Sequence, residues 1–157
     1  MAGREFDIIR RFFSRPELTM AGNYRDYLKL GPGDDCAIMQ VPGNNELAVS
    51  MDLLVCGIHF PENADPTMIA QRCLRVNLSD LAAMGAIPAA FTLGLVLPEV
   101  DEQWLEHFSK GLAEVAGYYG CPLAGGDLTA GPLSIAIQYT GGRIFSLRYH
   151  ASRDGRR

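Results

Sequence analysis

The nine residues Ala89–Leu97, AAFTLGLVL, constrain this chain most. The run is far short of the roughly 20 apolar residues needed to cross a bilayer, so it reads as a strand buried on both faces. Helix signals bracket it. Upstream, Asp65 is a good N-cap, and Pro66 suits the first helical position. The apolar residues Ile69, Cys73, Val76 and Met84 then lead to Gly85, a C-cap candidate with Pro88 close behind. Downstream, Leu105, Phe108, Leu112, Val115 and Tyr119 recur at helical spacing from about Asp101, and Gly120 ends the pattern.

The remaining elements fit around this frame. Residues 4–14 have a short helical period with Phe6, Ile9, Phe12 and Phe13 to one side. Residues 15–30 are polar and irregular. Cys36–Val41 and Glu46–Met51 read as two strands of a hairpin joined by PGNN. Leu53 to Asn63, with Gly57 and Pro61, reads as loop, and Leu133–Tyr139 as a last strand. The predicted order is strand, strand, helix, strand, helix, strand. That is an α+β fold, a mixed sheet with helices on one face.

The 157 residues suffice for one domain with a real core, and 48% hydrophobic with 20% charged residues argues against disorder. The formal net charge is −4, and basic residues stay scattered until the last dozen positions. Nucleic-acid and membrane partners are therefore not expected. The N-terminus MAGREFDIIRRFF lacks a signal-peptide h-region. Cys36, Cys56, Cys73 and Cys121 form no CxxC pair and read as small core residues of a reducing compartment, the cytoplasm.

Against this ordinary background, the acids collect oddly. Gly31-Pro32-Gly33-Asp34-Asp35 puts two like charges in one turn, where a single Asp suffices as a cap. Asp52 follows the strand ELAVSM, Asp80 sits in VNLSDLAAMG, and Asp127 follows the glycine turn Ala124-Gly125-Gly126. Asn77, Ser79 and Asp80 are all poor mid-helix residues, and a carboxylate buried beside Leu78 and Leu81 calls for a cation. Several carboxylates without histidine or cysteine partners suit a hard cation, and Mg²⁺ in particular where phosphate oxygens share it. The glycines let backbone N–H groups approach those oxygens. Each signal also has a plain reading: GDD and GGD as ordinary turns, Asp52 as a cap, NLSD as a helix broken at Asn77 or Ser79. His59 reads as a loop residue, His107 as a surface helix residue and His150 as a tail residue.

Taken in order and spacing, GPGDDCAIM, LAVSMDLLVCGIHF, RVNLSDLAAMGAIPAAFTLGLVLP and LAGGDLTAGPLSI resemble the thiamine-monophosphate kinases. These belong to the aminoimidazole-ribonucleotide (AIR) synthase-like superfamily. The resemblance runs from about residue 4 to about residue 141. It implies an N-terminal domain, residues 1–141, that holds ATP and several Mg²⁺ ions and pairs with a second copy into a dimeric barrel. The implied reaction is ATP-dependent phosphorylation of thiamine phosphate to thiamine diphosphate. Carried over, Asp35 is a metal ligand with Asp34 its neighbour, and Ser50, Met51 and Asp52 occupy a metal-binding strand end. Asp80 bridges metals, Gly126 and Asp127 contact ATP and metal, and His59 lies at the thiamine phosphate site. The acceptor is itself an ionised phosphate, so no strong general base is called for, and no catalytic residue is assigned.

The chain also departs from that pattern. Met51 and Leu53 stand where the family has Thr on either side of Asp52, and GGDLT replaces GGDTT. After Gly141 the resemblance dissolves, and Arg148 lies only near the place of an ATP-contacting arginine. Residues 142–157 read as a divergent tail with the family's second domain missing, so the chain is expected to be weak or inactive alone. Two other expectations remain, another AIR synthase-like ATP-dependent synthase and a non-catalytic dimerising fragment.

Overall fold

A computed structural model describes residues 2–22, 28–32, 36–41, 43 and 45–144. The apolar run is the core strand that its composition demands. It forms part of β4 (Ile87–Leu97), which lies between two neighbours in a four-stranded sheet of order β3-β6-β4-β5. The others are β3 (Asn45–Val55), β5 (Leu123–Ala130) and β6 (Ser134–Ile144). β4 runs parallel to β5 and antiparallel to β6, and β6 is antiparallel to β3, so the sheet is mixed.

Helices cover one face. After α1 (Ala2–Ile8), a π-helical turn at Ile9–Phe13 and the short α2 (Pro16–Thr19) come α3 (Pro66–Ala83) and α4 (Glu102–Tyr119). The capping signals work as their chemistry requires. The Asp65 carboxylate accepts the Met68 N–H at 3.1 Å, and the Asp101 carboxylate accepts those of Gln103 and Trp104. Gly120 closes α4 in the left-handed conformation at φ 63°. Both helices lie on Phe91, Leu93 and Leu95 of β4 and Ile135, Ile137 and Tyr139 of β6, all buried. The opposite face of β4 carries the small residues Ala90, Thr92, Gly94 and Val96. There Ala90 and Ala124 pack against Leu28, with Ala37 and Met39 beside them.

Several local expectations give way to this tertiary arrangement. Ile38–Met39 (β2) pairs with Leu28–Leu30 (β1) rather than forming a hairpin with β3. β3 continues through Leu53 to Val55 because β6 supplies partners along its length. The supposed irregular stretch 15–30 contains α2 and β1. Phe12 and Phe13 enter the core while Phe6 stays exposed, because the chain widens from an α to a π turn between them, which shifts the helical phase. The glycine turn at 124–126 is strand β5, held flat beside β4. Cys73 and Cys121 are buried as read, but Cys36 is exposed, and all four cysteines are free thiols. No described helix is long and apolar enough to cross a membrane.

Candidate functional site

α3 runs unbroken through NLSD, which removes the broken-helix reading. Its 3.6-residue period carries Leu74, Asn77, Leu78 and Leu81 into the core and turns Ser79 and Asp80 outward. The buried polar residue of the motif is therefore Asn77, and Asp80 is exposed rather than enclosed beside Leu78 and Leu81. Asp80 instead stands over the edge strand β3, where the Ser50 hydroxyl donates to its carboxylate at 3.3 Å.

Asp52 is one pleat further along β3, on the same helix-facing side as Ser50. It is a strand-interior residue, not a cap. Its charge is felt at Cys73, whose thiol is pushed up to about 12, chiefly by burial and to a lesser degree by Asp52. α3 descends as β3 ascends, so Asp80 meets Ser50 and Cys73 comes near Asp52. Met51 and Leu53 point to the other face and are 62% and 53% exposed. With Leu47 and Val49 they make an uncovered apolar stripe on that face.

Beyond β3 the chain turns at Gly57, which has φ 78° and donates its N–H to the Phe60 carbonyl. The turn brings His59 back, so that its Nδ1 accepts the Val55 N–H at 3.0 Å. In the neutral ring the proton then sits on Nε2 of this exposed residue. His107 is exposed on α4.

The other acid stands across the sheet. Asp52 pairs with Ile137, Ile137 with Leu93, and Leu93 with Gly126. One row thus crosses all four strands, with three spacings of ~4.8 Å, about 14 Å in total, between β3 and β5. Asp127, next along β5, pairs with Gly94 and stands at the open edge on the face away from the helices. It lines a cleft of about 680 Å³ with Thr92, Gly125, Gly126, Pro32 and Cys36. Only glycine fits at 126, since a Cβ there would lie 1.9 Å from the Leu93 carbonyl oxygen. Pro32 and Cys36 flank Gly33-Asp34-Asp35, and both Asp34 and Asp35 lie outside the described residues, as do Arg148 and His150. Among the described residues no three His, Cys, Asp or Glu side chains gather as a metal cluster.

Sequence reasoning thus points to one acid cluster, whereas the described part of the chain has two separate places. The first is Ser50, Asp52 and Asp80 at the β3 edge; the second is the Asp127 cleft at the β5 edge. It also missed the cleft-lining role of Cys36, which only the packing of the β1–β2 ribbon on β4 and β5 reveals.

Residues 33–142 match the family described as AIR synthase related protein, N-terminal domain. Thiamine-monophosphate kinase of Escherichia coli (strain K12) is 50% identical over 137 residues, covering 87% of this chain and 41% of that protein. The crystal structure of thiamine-monophosphate kinase from Stenotrophomonas maltophilia K279a superposes with a TM-score of 0.71. It is 42% identical and covers 87% of this chain and 40% of that one. AaThiL complexed with AMPPCP and TMP superposes at 0.62 with 27% identity, over 69% of this chain and 36% of that one. The chain spans about two fifths of the length of the curated relatives it matches.

Proposed function

Because the chain belongs to the AIR synthase related family through its N-terminal domain, we propose that it is the nucleotide- and Mg²⁺-binding part of a thiamine-phosphate kinase. In this reading the whole enzyme transfers a phosphoryl group from ATP to thiamine phosphate in the cytoplasm. Residues 1–141 carry the binding domain, whose last strand runs on to Ile144 into the divergent stretch 142–157. The observation that carries the reading is the Ser50–Asp80 contact. It joins the two motifs to which the family resemblance assigns metal ligands, in a stretch of 137 residues that is 50% identical to thiamine-monophosphate kinase of Escherichia coli.

The donors fit the ion. Ser50, Asp52 and Asp80 offer only hard oxygens, the ligands that Mg²⁺ prefers. Bound there, Mg²⁺ would neutralise phosphate charge, the main requirement of phosphoryl transfer. The chain's own residues do the placing. The hydroxyl of Ser50 orients the Asp80 carboxylate, and β3, an edge strand, turns its outer backbone carbonyls, with Met51 among the candidates, away from the ladder. On the far edge, Gly126 keeps a surface without a side chain beside Asp127, so that backbone N–H groups can meet a polyphosphate. Asp34 and Asp35 are the further metal ligands that the family resemblance implies. His59 offers its Nε2–H to the phosphate of the acceptor.

An ion with ligands at ~2.1 Å cannot bridge carboxylates separated by about 14 Å of sheet. A homodimer resolves this. Two sheets closing into a barrel around a two-fold axis would lay the β3 edge of one copy along the β5 edge of the other. The joint would bring Asp52 and Asp80 within a strand spacing of the partner subunit's β5 edge, where an edge carboxylate is free to turn across. The same closure would cover the stripe Leu47, Val49, Met51 and Leu53. That stripe also favours a second reading, a dimerising module without catalysis, in line with the loss of hydroxyls at Met51 and Leu128.

Calorimetric titration with ATP, with and without Mg²⁺, separates the two. Binding that requires Mg²⁺ is expected, together with turnover of thiamine phosphate once the chain is joined to a complete second domain. Metal-independent binding, or none, leaves only the dimerising module.

A further inference from the structure

Two buried polar atoms among the described residues have no hydrogen-bond partner, Asn77 Oδ1 and the Tyr139 hydroxyl. Both side chains are fully buried. A core of this kind does not leave such atoms unmatched without reason, because each gave up its water on folding. Their chemistry is complementary, since an amide oxygen can only accept and a phenol can donate.

Their places in the fold are complementary as well. Tyr139 on β6 pairs directly with Ser50 on β3, so the two side chains stand side by side under the helices. Ser50 is the residue that holds Asp80. Asn77 lies one turn before Asp80 on α3, rotated inward, and its Nδ2 already donates to the Cys73 carbonyl at 3.3 Å. A row from Tyr139 through Ser50 to Asp80, and a helical turn from Asp80 back to Asn77, therefore enclose one small region. α3 and α4 run parallel, as the contacts Thr67–His107 and Gln71–Glu114 show. That alignment brings the end of α4 and Cys121 over the same ring.

We infer that Asn77 and Tyr139 form a buried polar pair, bridged by one water, that fixes the α3 turn carrying Asp80. They are positioning residues and touch neither metal nor nucleotide. This rests on the assignment of Asp80 to the Mg²⁺ site, and it extends that site into the core. Asn77 thereby gains a reason to occupy a mid-helix position for which its propensity is poor.

The test is a double-mutant cycle with Tyr139→Phe and Asn77→Leu, both close in shape to the native residues. Each single variant leaves one orphan and is expected to lower the melting temperature by about 2–4 °C. The double variant replaces both partners by apolar groups and is expected to regain most of that loss. Mg²⁺ affinity, read by titration with Mg²⁺ in the presence of ATP, is expected to fall threefold or more in both single variants. It should not recover in the double variant, because Phe and Leu restore packing but not the polar hold on the turn. Additive melting losses would overturn the pair. Wild-type Mg²⁺ affinity in the double variant would overturn the positioning role. Failure of the unaltered chain to bind Mg²⁺ at all would instead overturn the kinase reading, and the melting cycle would still decide the pair.

Discussion

A site assembled from two copies makes a prediction that a site within one copy cannot. Asp80 stands at the β3 edge and Asp127 at the β5 edge, separated by three strand spacings, about 14 Å. If the partner subunit supplies the β5 edge, each homodimer holds two sites, each built from Asp80 of one copy and Asp127 of the other. Asp80→Asn alone and Asp127→Asn alone should each disable both sites. A tenfold or greater loss of Mg²⁺-dependent ATP affinity is expected for either, about 1.4 kcal/mol per missing contact. The two variants are then mixed in equal amounts, unfolded and refolded together. Random pairing makes about half of the dimers mixed, and in each mixed dimer one site collects both substitutions while the other is intact. About one quarter of the wild-type number of tight sites should therefore return. Calorimetry reads this number directly as stoichiometry, and sedimentation confirms that the mixture is dimeric. Zero recovery from a mixture shown to be dimeric would refute the shared site, as would a chain that stays monomeric at the concentrations where it binds.

Two further outcomes follow from local chemistry. Asp65→Ala removes the carboxylate that accepts the Met68 N–H at the start of α3, a cap worth about 1 kcal/mol. The melting temperature should fall by about 3 °C, and an unchanged value would show that Pro66 alone holds the helix start. Burial pushes the Cys73 thiol from 9.0 up to about 12. The unfolded chain thus ionises first as pH rises, and stability due to the neutral thiol is full below pH 9.0 and lost progressively up to about 12. The urea midpoint should decline above pH 9.0 more steeply in the native chain than in Cys73→Ala. Equal slopes would place the alkaline loss elsewhere.

The frame of this protein was legible because its signals are local. Asp65-Pro66, Asp101 and Gly120 mark helix ends through hydrogen bonds to backbone a few residues away, and Ala89–Leu97 is too apolar to lie anywhere but inside a sheet. The family resemblance was carried by the same stretches, and so was the acid-rich character of the site. Other features depended on partners distant in sequence. Leu53–Val55 became strand because Ser134 to Ala136 lie beside it, and Gly125-Gly126 became strand because β4 offers a parallel neighbour. Ile38–Met39 chose Leu28–Leu30 over the nearer β3. Asp80 was read as buried because its neighbours in sequence are apolar, yet the helical rotation sends Asn77 inward in its place.

The amino-acid sequence by itself determined which residues carry hard-oxygen donors and which turns are rich in glycine, and which segments must be helix or core strand. Those properties follow from side-chain chemistry and from spacing along one segment. The tertiary structure alone decided where the acids stand: Asp52 and Asp80 over one edge of the sheet, Asp127 beside a cleft at the other. Strand order causes that division, and strand order is set by which distant segments pair rather than by the residues of any one of them.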